Sequence, residues 1–275
     1  MKKKVATIIL NRNLPKVTEN LSSKIKKIDG KITDIYILES GSDIDKLSKG
    51  YTWHANWPTA LKKGLRVPKG FNYALKQLYI ENKFEKYEYF FLLTNDTEFV
   101  GKKILKPLLS IMEKHKRLGL LSPCSKNWGE YELIKKFELK YLWYLQNTAY
   151  LVRKDFIKSI SNIEEANINN FLYDATNNRG YCLELEIIAK GYINNWATGL
   201  TTASICNENE SYLKQNHKII KTEHFEKAEK LYIKEGEKWM FKKYGFRSKW
   251  DFLNYVIFFY NNFFESNKNL LEYKL

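Results

Sequence analysis

Residues 90–98, Phe90-Phe91-Leu92-Leu93-Thr94-Asn95-Asp96-Thr97-Glu98, constrain the fold of this chain more than any other segment. An apolar run opens on two aromatic residues and stops at an acidic, hydroxyl-bearing tip. It is too short and too aromatic for a helix, so it reads as a buried strand. The tip places oxygen ligands at that strand's carboxyl end, the edge at which open α/β sheets bind ligands. Oxygens in a tight turn suit a hard divalent cation holding a diphosphate. The same residues also make an ordinary turn after a strand.

The rest of the chain supplies a sheet for this strand to join. Val5 to Leu10 is apolar and β-branched and reads as a first strand. Pro15 opens a helix carrying Val17, Leu21 and Ile25 at helical spacing. Ile32 to Leu38 alternates and reads as a second strand, which ends in Glu39-Ser40-Gly41-Ser42-Asp43. This is a β-α-β unit with a parallel pair. Residues 51–68, dense in Trp53, His54, Trp57 and Pro58, read as an irregular loop. Gly70-Phe71-Asn72-Tyr73 leads into a helix. Helix is expected again over 105–115 and 183–189, the latter stopped by Gly191. Strands are expected over 119–123, 145–152 and 193–198. Near residue 205 the composition turns to charged, aromatic, proline-free helical sequence. The expected organisation is an α/β domain over 1–205 and a helical extension over 206–275.

Composition narrows the class. With 275 residues, 44% hydrophobic and 15% aromatic, the chain is long and apolar enough for a substantial core and is not disordered. No apolar span is long enough to cross a bilayer, and the apolar stretch after Met1 is broken at once by Asn11-Arg12-Asn13. Three cysteines, Cys124, Cys182 and Cys206, make neither a disulfide framework nor a metal pattern, so a reducing cytoplasm is expected. The net charge of +15 is concentrated at the N-terminal side, where residues 1–110 hold 21 basic and 11 acidic side chains. A phosphorylated substrate, anionic lipid or nucleic acid could balance it; no nucleic-acid motif accompanies it, and a solvated lysine surface explains most of it.

In order along residues 5–200, the segments resemble a known family. Ile8-Ile9-Leu10-Asn11-Arg12-Asn13 is similar to its opening strand and Asn-rich turn, and Ile37-Leu38-Glu39-Ser40-Gly41-Ser42-Asp43 to its V-V-D-N-G-S-x-D segment. Gly70-Phe71-Asn72-Tyr73-Ala74 resembles its G-x-N-x-G/A helix start. Leu92-Leu93-Thr94-Asn95-Asp96-Thr97 is similar to the L-L-N-N-D-T form of its DxD motif, and Leu185 to Tyr192 to its L-x-x-R-x-x-K-A-G-Y helix. The family is the bacterial inverting glycosyltransferases of the GT-A fold (family two, rhamnosyltransferase-like).

The resemblance implies a mixed, mostly parallel sheet flanked by helices, and transfer of a sugar from a nucleotide-sugar to a glycan or lipid-linked acceptor in surface polysaccharide or glycoconjugate synthesis. It implies donor contacts from Asn11, Arg12, Glu39, Ser42, Asn72, Asn95 and Asp96. Asp96 would face a manganese or magnesium ion, with Thr94 at the first acidic position and Glu98 in reach directly or through water. Inversion needs one general base. Counted back from Gly191, the family's acid falls on Cys182, so Asp174 and Glu184 are the two candidates. That substitution also keeps open a sugar-nucleotide-binding protein without turnover. Trp53 and Trp57 could stack on a sugar face, or pack in the core. His54 lies in the same loop; His217 and His224 follow the core with no motif to fix either near a metal.

In the extension, Phe252, Tyr255, Val256, Phe259, Tyr260 and Phe263 recur at helical spacing. Such a face docks on the core; the alternatives are a second subunit or the inner face of the cell membrane, where a lipid-linked acceptor would be found.

Overall fold

The computed structural model describes residues 4–146 and 148–275. In chain order it contains β1 (Val5–Asn11), α1 (Pro15–Asp29), β2 (Thr33–Glu39), β3 (Trp53–His54), α2 (Pro58–Lys63), α3 (Arg66–Ile80), β4 (Tyr89–Thr94) and β5 (Thr97–Val100). Then follow α4 (Leu105–Lys114), β6 (Leu118–Cys124), α5 (Gly129–Ile134), β7 (Leu139–Tyr141), β8 (Ala149–Arg153), α6 (Lys154–Ile160) and α7 (Leu183–Ile193). Last come β9 (Ala197–Glu208), α8 (Ser211–Asn216), α9 (Phe225–Tyr244) and α10 (Lys249–Ser266).

The strands form one mixed sheet in the order β3-β2-β1-β4-β8-β6-β9-β5, with β7 on the flank of β9. β3, β2, β1, β4, β6 and β9 share a direction, while β8, β5 and β7 run against them. β1 is buried along its whole length, as its near-continuous apolar run, broken only by Thr7, requires of a strand covered on both faces. Its register sets the site: Asn11 lies beside Glu39 of β2, and Leu10 beside Thr94 of β4. Three polar strand ends thereby reach one edge of the sheet.

Local expectations change: the strands expected over 145–152 and 193–198 begin only at Ala149 and Ala197. Residues 51–68 hold a short strand and the whole of α2, and α3 already begins at Arg66. β3 and α2 are too short to show a periodicity, but Pro58 occupies the first turn of α2, where its missing N–H costs nothing. Gly191 does not stop α7, which continues to Ile193. It is there for space: a Cβ on Gly191 would stand 2.8 Å from the Phe156 ring, and one on Gly119 of β6 only 2.2 Å from it. The Phe156 ring fills a slot that two glycines leave open.

The C-terminal helices dock. Phe252, Val256, Tyr260, Phe263 and Phe264 of α10 are buried, and Tyr192 of α7 meets the rings of Tyr260 and Phe263 at 5.4 Å. A reciprocal Ser248–Asp251 capping box starts α10. β9 itself runs across residue 205, with its far half paired to β5. Among the described residues, no helix is long and apolar enough to cross a membrane.

Candidate active site

Glu39 is fully buried at the end of β2. Its Oε2 accepts from Asn11 Nδ2 (2.9 Å) and Ser42 Oγ (2.5 Å), and its Oε1 from the Ser48 backbone N–H (2.8 Å). A carboxylate can be buried when donors surround it in this way. Asn11 Oδ1 accepts in turn from Asn95 Nδ2 at 2.9 Å. Asn11, Glu39, Ser42 and Asn95 therefore form one network that locks the ends of β1, β2 and β4 together, with both Glu39 oxygens spent inside the protein.

Two cavities adjoin this edge of the sheet. The first, about 250 Å³, is lined by Asn11, Arg12, Arg66, Asn95, Asp96 and Tyr212 among others. The second, about 410 Å³, runs from Arg66 and Asp96 to Arg179, Glu184, Glu208 and Tyr232. Arg66, Val67, Thr94 and Asp96 line both, so the turn after β4 stands where the cavities meet. A hollow of about 460 Å³ lies elsewhere, between α4, β7 and the C-terminus, and none of its lining residues carries an unpartnered buried polar atom.

The charged groups divide sharply. Asp96 has an Oδ1 with no partner, and burial raises its carboxyl. Loss of hydration, then the charges of Asp96 and Glu210, raise Glu208 as well, although part of the residue is exposed. Glu184 is buried in the first turn of α7 with Oε2 unpartnered, and burial pushes it up to about 7. Asp174 lines neither cavity. Burial pushes it up, but Lys243, Thr176 and Trp239 together outweigh burial and hold it at about 2. Cys182 is a buried thiol raised by that burial, held at φ +64° just before α7.

On the cationic side, Arg12 lies along Gly64, where a Cβ would come within 2.5 Å of its Nη1. Its Nη2 donates to the Leu61 and Lys62 carbonyls at the end of α2. Burial, then the neighbouring Arg66, lower it to about 10. Arg66 donates to Thr222 Oγ1 (2.9 Å), and the Nε of both arginines is buried without a partner.

Other residues singled out in the sequence lie elsewhere. Asn72 clamps the 168–173 loop, donating to the Ile168 and Tyr173 carbonyls and accepting from the Leu172 and Tyr173 N–H groups. Trp53 stacks on Tyr36 at 5.2 Å and donates to Glu81, while Trp57 packs against Tyr73 beside α2. His54 reaches the Ser42 carbonyl, His217 and His224 meet edge to face at 5.2 Å, and Glu98 accepts from Asn209. Sequence reasoning passed over Arg66, Arg179, Tyr212 and Glu208. A lone arginine two residues before Pro68 carries no signal; the Asn207-Glu208-Asn209 run, polar at the end of a strand like the Asp96 turn, was the readable one.

No protein-family model and no curated protein sequence matches the chain. Among solved structures it is similar to GalNAc-T7, solved with UDP, GalNAc and Mn2+, at 10% identity and a TM-score of 0.56, over 98% of this chain and 58% of that one. It is also similar to TarS of S. aureus, at 13% identity and a TM-score of 0.52, over 87% of this chain and 44% of that one. The chain thus spans about half the length of these two proteins. At such identity the likeness carries the fold: a GT-A-type mixed sheet with flanking helices and a helical C-terminal region.

Proposed function

We propose that this chain transfers a sugar from a nucleotide-sugar to a glycan or lipid-linked acceptor, inverting the anomeric centre, in bacterial surface polysaccharide or glycoconjugate synthesis. The observation that carries the reading is the meeting of two cavities at Asp96, one floored by the strand-end network and flanked by arginines, the other holding an unpartnered, raised Glu184. A nucleoside diphosphate fits the first and an acceptor hydroxyl the second. The fold likeness to a protein solved with UDP, GalNAc and Mn2+ supports the donor class.

Glu184 is the better general base of the two acids. A carboxylate near pH 7 accepts a proton readily at physiological pH, whereas one held at about 2 by a lysine does not. Glu184 takes the acceptor proton, the acceptor oxygen bonds to the anomeric carbon, and the bond from that carbon to the diphosphate oxygen breaks with its electrons leaving on the phosphate. Arg66 and Arg12 offset the charge that gathers there. The residues fit a divalent cation: Asp96 Oδ1 lacks a partner and Glu208 is its acidic neighbour. Among the described residues no three potential ligands cluster, so phosphates and water would complete the shell, the usual way magnesium is held. When bound, the ion supplies Lewis-acid stabilisation of the departing diphosphate. Cys182 at the family's acid position favours a second reading, a sugar-nucleotide-binding protein without turnover.

A panel of nucleotide-sugars, assayed for nucleoside diphosphate release with and without acceptors, tests the proposal. Release with an inverted product supports it; donor binding without release in any combination favours the second reading. Absence of nucleoside diphosphate binding in the presence of manganese sinks both. Asp96→Asn should abolish manganese-dependent nucleotide binding measured by calorimetry, and full retention would move the diphosphate site elsewhere.

A further inference from the structure

The α9 helix has two chemically opposite sides. Phe225, Ala228, Glu229 and Tyr232 line the larger cavity, and Gly236, Trp239 and Met240 are buried. On the other side Lys227, Lys230, Lys234, Lys238 and Lys242 follow at spacings of three or four residues, all exposed and none in an ion pair among the described residues. At 1.5 Å per residue they make a stripe about 22 Å long. Of the four acids of α9, Glu235 is paired to Arg179 and Glu229 lines the cavity, while Glu226 and Glu237 are exposed beside the stripe and leave the lysines in excess. Phe241 stands within the stripe at 59% exposure.

The stripe runs into the corner between α9 and α10. From Lys238 to Trp250 the sequence holds five basic residues and no acid. Among the described residues, only Lys243 of these is in an ion pair, with Asp174 and Glu186. Trp250 is 72% exposed at the start of α10, and Phe258 follows two turns later on the same helix at 59%. Lys249 lies over the ring of Tyr144, a wall of the larger cavity, so the corner adjoins the candidate acceptor site.

We infer that the lysine stripe of α9 and the aromatic corner it ends in form a docking surface for an anionic lipid bilayer. Unpaired lysines along one helix face attract a negative headgroup layer. Exposed phenylalanine and tryptophan at one end enter the headgroup–acyl boundary. The lipid surface attracts this face whatever the cleft binds; that it would keep the cleft one helix diameter, ~10 Å, from lipid-borne acceptors rests on the transferase reading.

Vesicle flotation of the intact protein tests it, with phosphatidylcholine alone and with phosphatidylcholine mixed with phosphatidylglycerol. The protein should float with the mixed vesicles at low salt, stay behind with the neutral ones, and be released by high salt. Replacing Lys230, Lys234 and Lys238 with Gln should weaken partition by about a hundredfold. Phe241→Ser with Trp250→Ser should weaken it while leaving the salt dependence in place. Unchanged thermal melts and nucleoside diphosphate binding keep folding and the transferase reading separate from the result. No flotation with anionic vesicles, equal flotation with neutral ones, or indifference to the lysines overturns the inference. Self-association of the free protein that the lysine substitutions abolish would also overturn it, assigning the surface to a second copy.

Discussion

At the scale of the residue, Glu184 ties activity to stability. Its folded pKa of about 7 lies above the ordinary glutamate value, so the folded chain holds the proton more tightly than the unfolded one. Its burial therefore subtracts nothing below about pH 4.5, and stability falls as pH rises from about 4.5 to 7. The gap corresponds to about 3 kcal/mol at its largest. Glu184→Gln should unfold at higher denaturant than the parent at pH 8, by as much as that amount, and match it near pH 4. The same variant should lose about a hundred- to ten-thousandfold in kcat, with the rise of kcat/KM through pH 7 abolished. A variant that is no more stable at pH 8 and still active would remove Glu184 from both roles. The sequence led to Glu184 and Asp174 as equals because spacing finds acids but does not show their neighbours. Only the fold brings Lys243, 69 residues away, onto Asp174. Glu39 teaches the same lesson from the other side: its place at a strand end was legible, but not the three donors that occupy it.

At the scale of the element, the Phe156 slot makes a packing prediction. Gly119→Ala would press a methyl into the ring, and Gly191→Ala would do so from the opposing helix. Each should cost about 1–3 kcal/mol in chemical denaturation. Combined with Phe156→Leu, each penalty should shrink, because neighbours around one cavity are not additive. Strict additivity would show that the ring can move aside. This slot explains how Gly191 misleads as a helix stop: its reason lies on α6, more than thirty residues earlier in the chain. Long central elements were legible because burial on both faces writes a near-continuous apolar run, as in β1 and β4. β9 was legible only at its start. Its outer half carries Thr202, Ser204 and Asn207, which hydrogen-bond Phe137, Lys103 and Ser125, and a polar strand edge looks like a loop when read alone.

At the scale of the whole molecule, the helical extension belongs to the site as much as to the scaffold. Tyr212, Ile220 and Thr222 line the smaller cavity, and α9 walls the larger. The link is ionic: Arg66 and Arg179 both reach Glu223, and Arg179 also reaches Glu235. Burial pushes Glu223 up, but Arg179 and its other donors outweigh burial and hold it at about 2. A diphosphate entering beside Arg66 would engage an arginine already bound to the extension, so binding and tail order should rise together. At a hundredfold excess over Kd, nucleoside diphosphate with manganese should stabilise the fold by about 2.7 kcal/mol. Hydrogen exchange should slow in 211–232 as well as around the Asp96 turn. Glu223→Gln should weaken the protection of 211–232 more than that of the turn, since it loosens the extension without touching the strand-end network. If the turn alone were protected, the nucleotide would be held by the sheet edge and the extension would serve only as a wall.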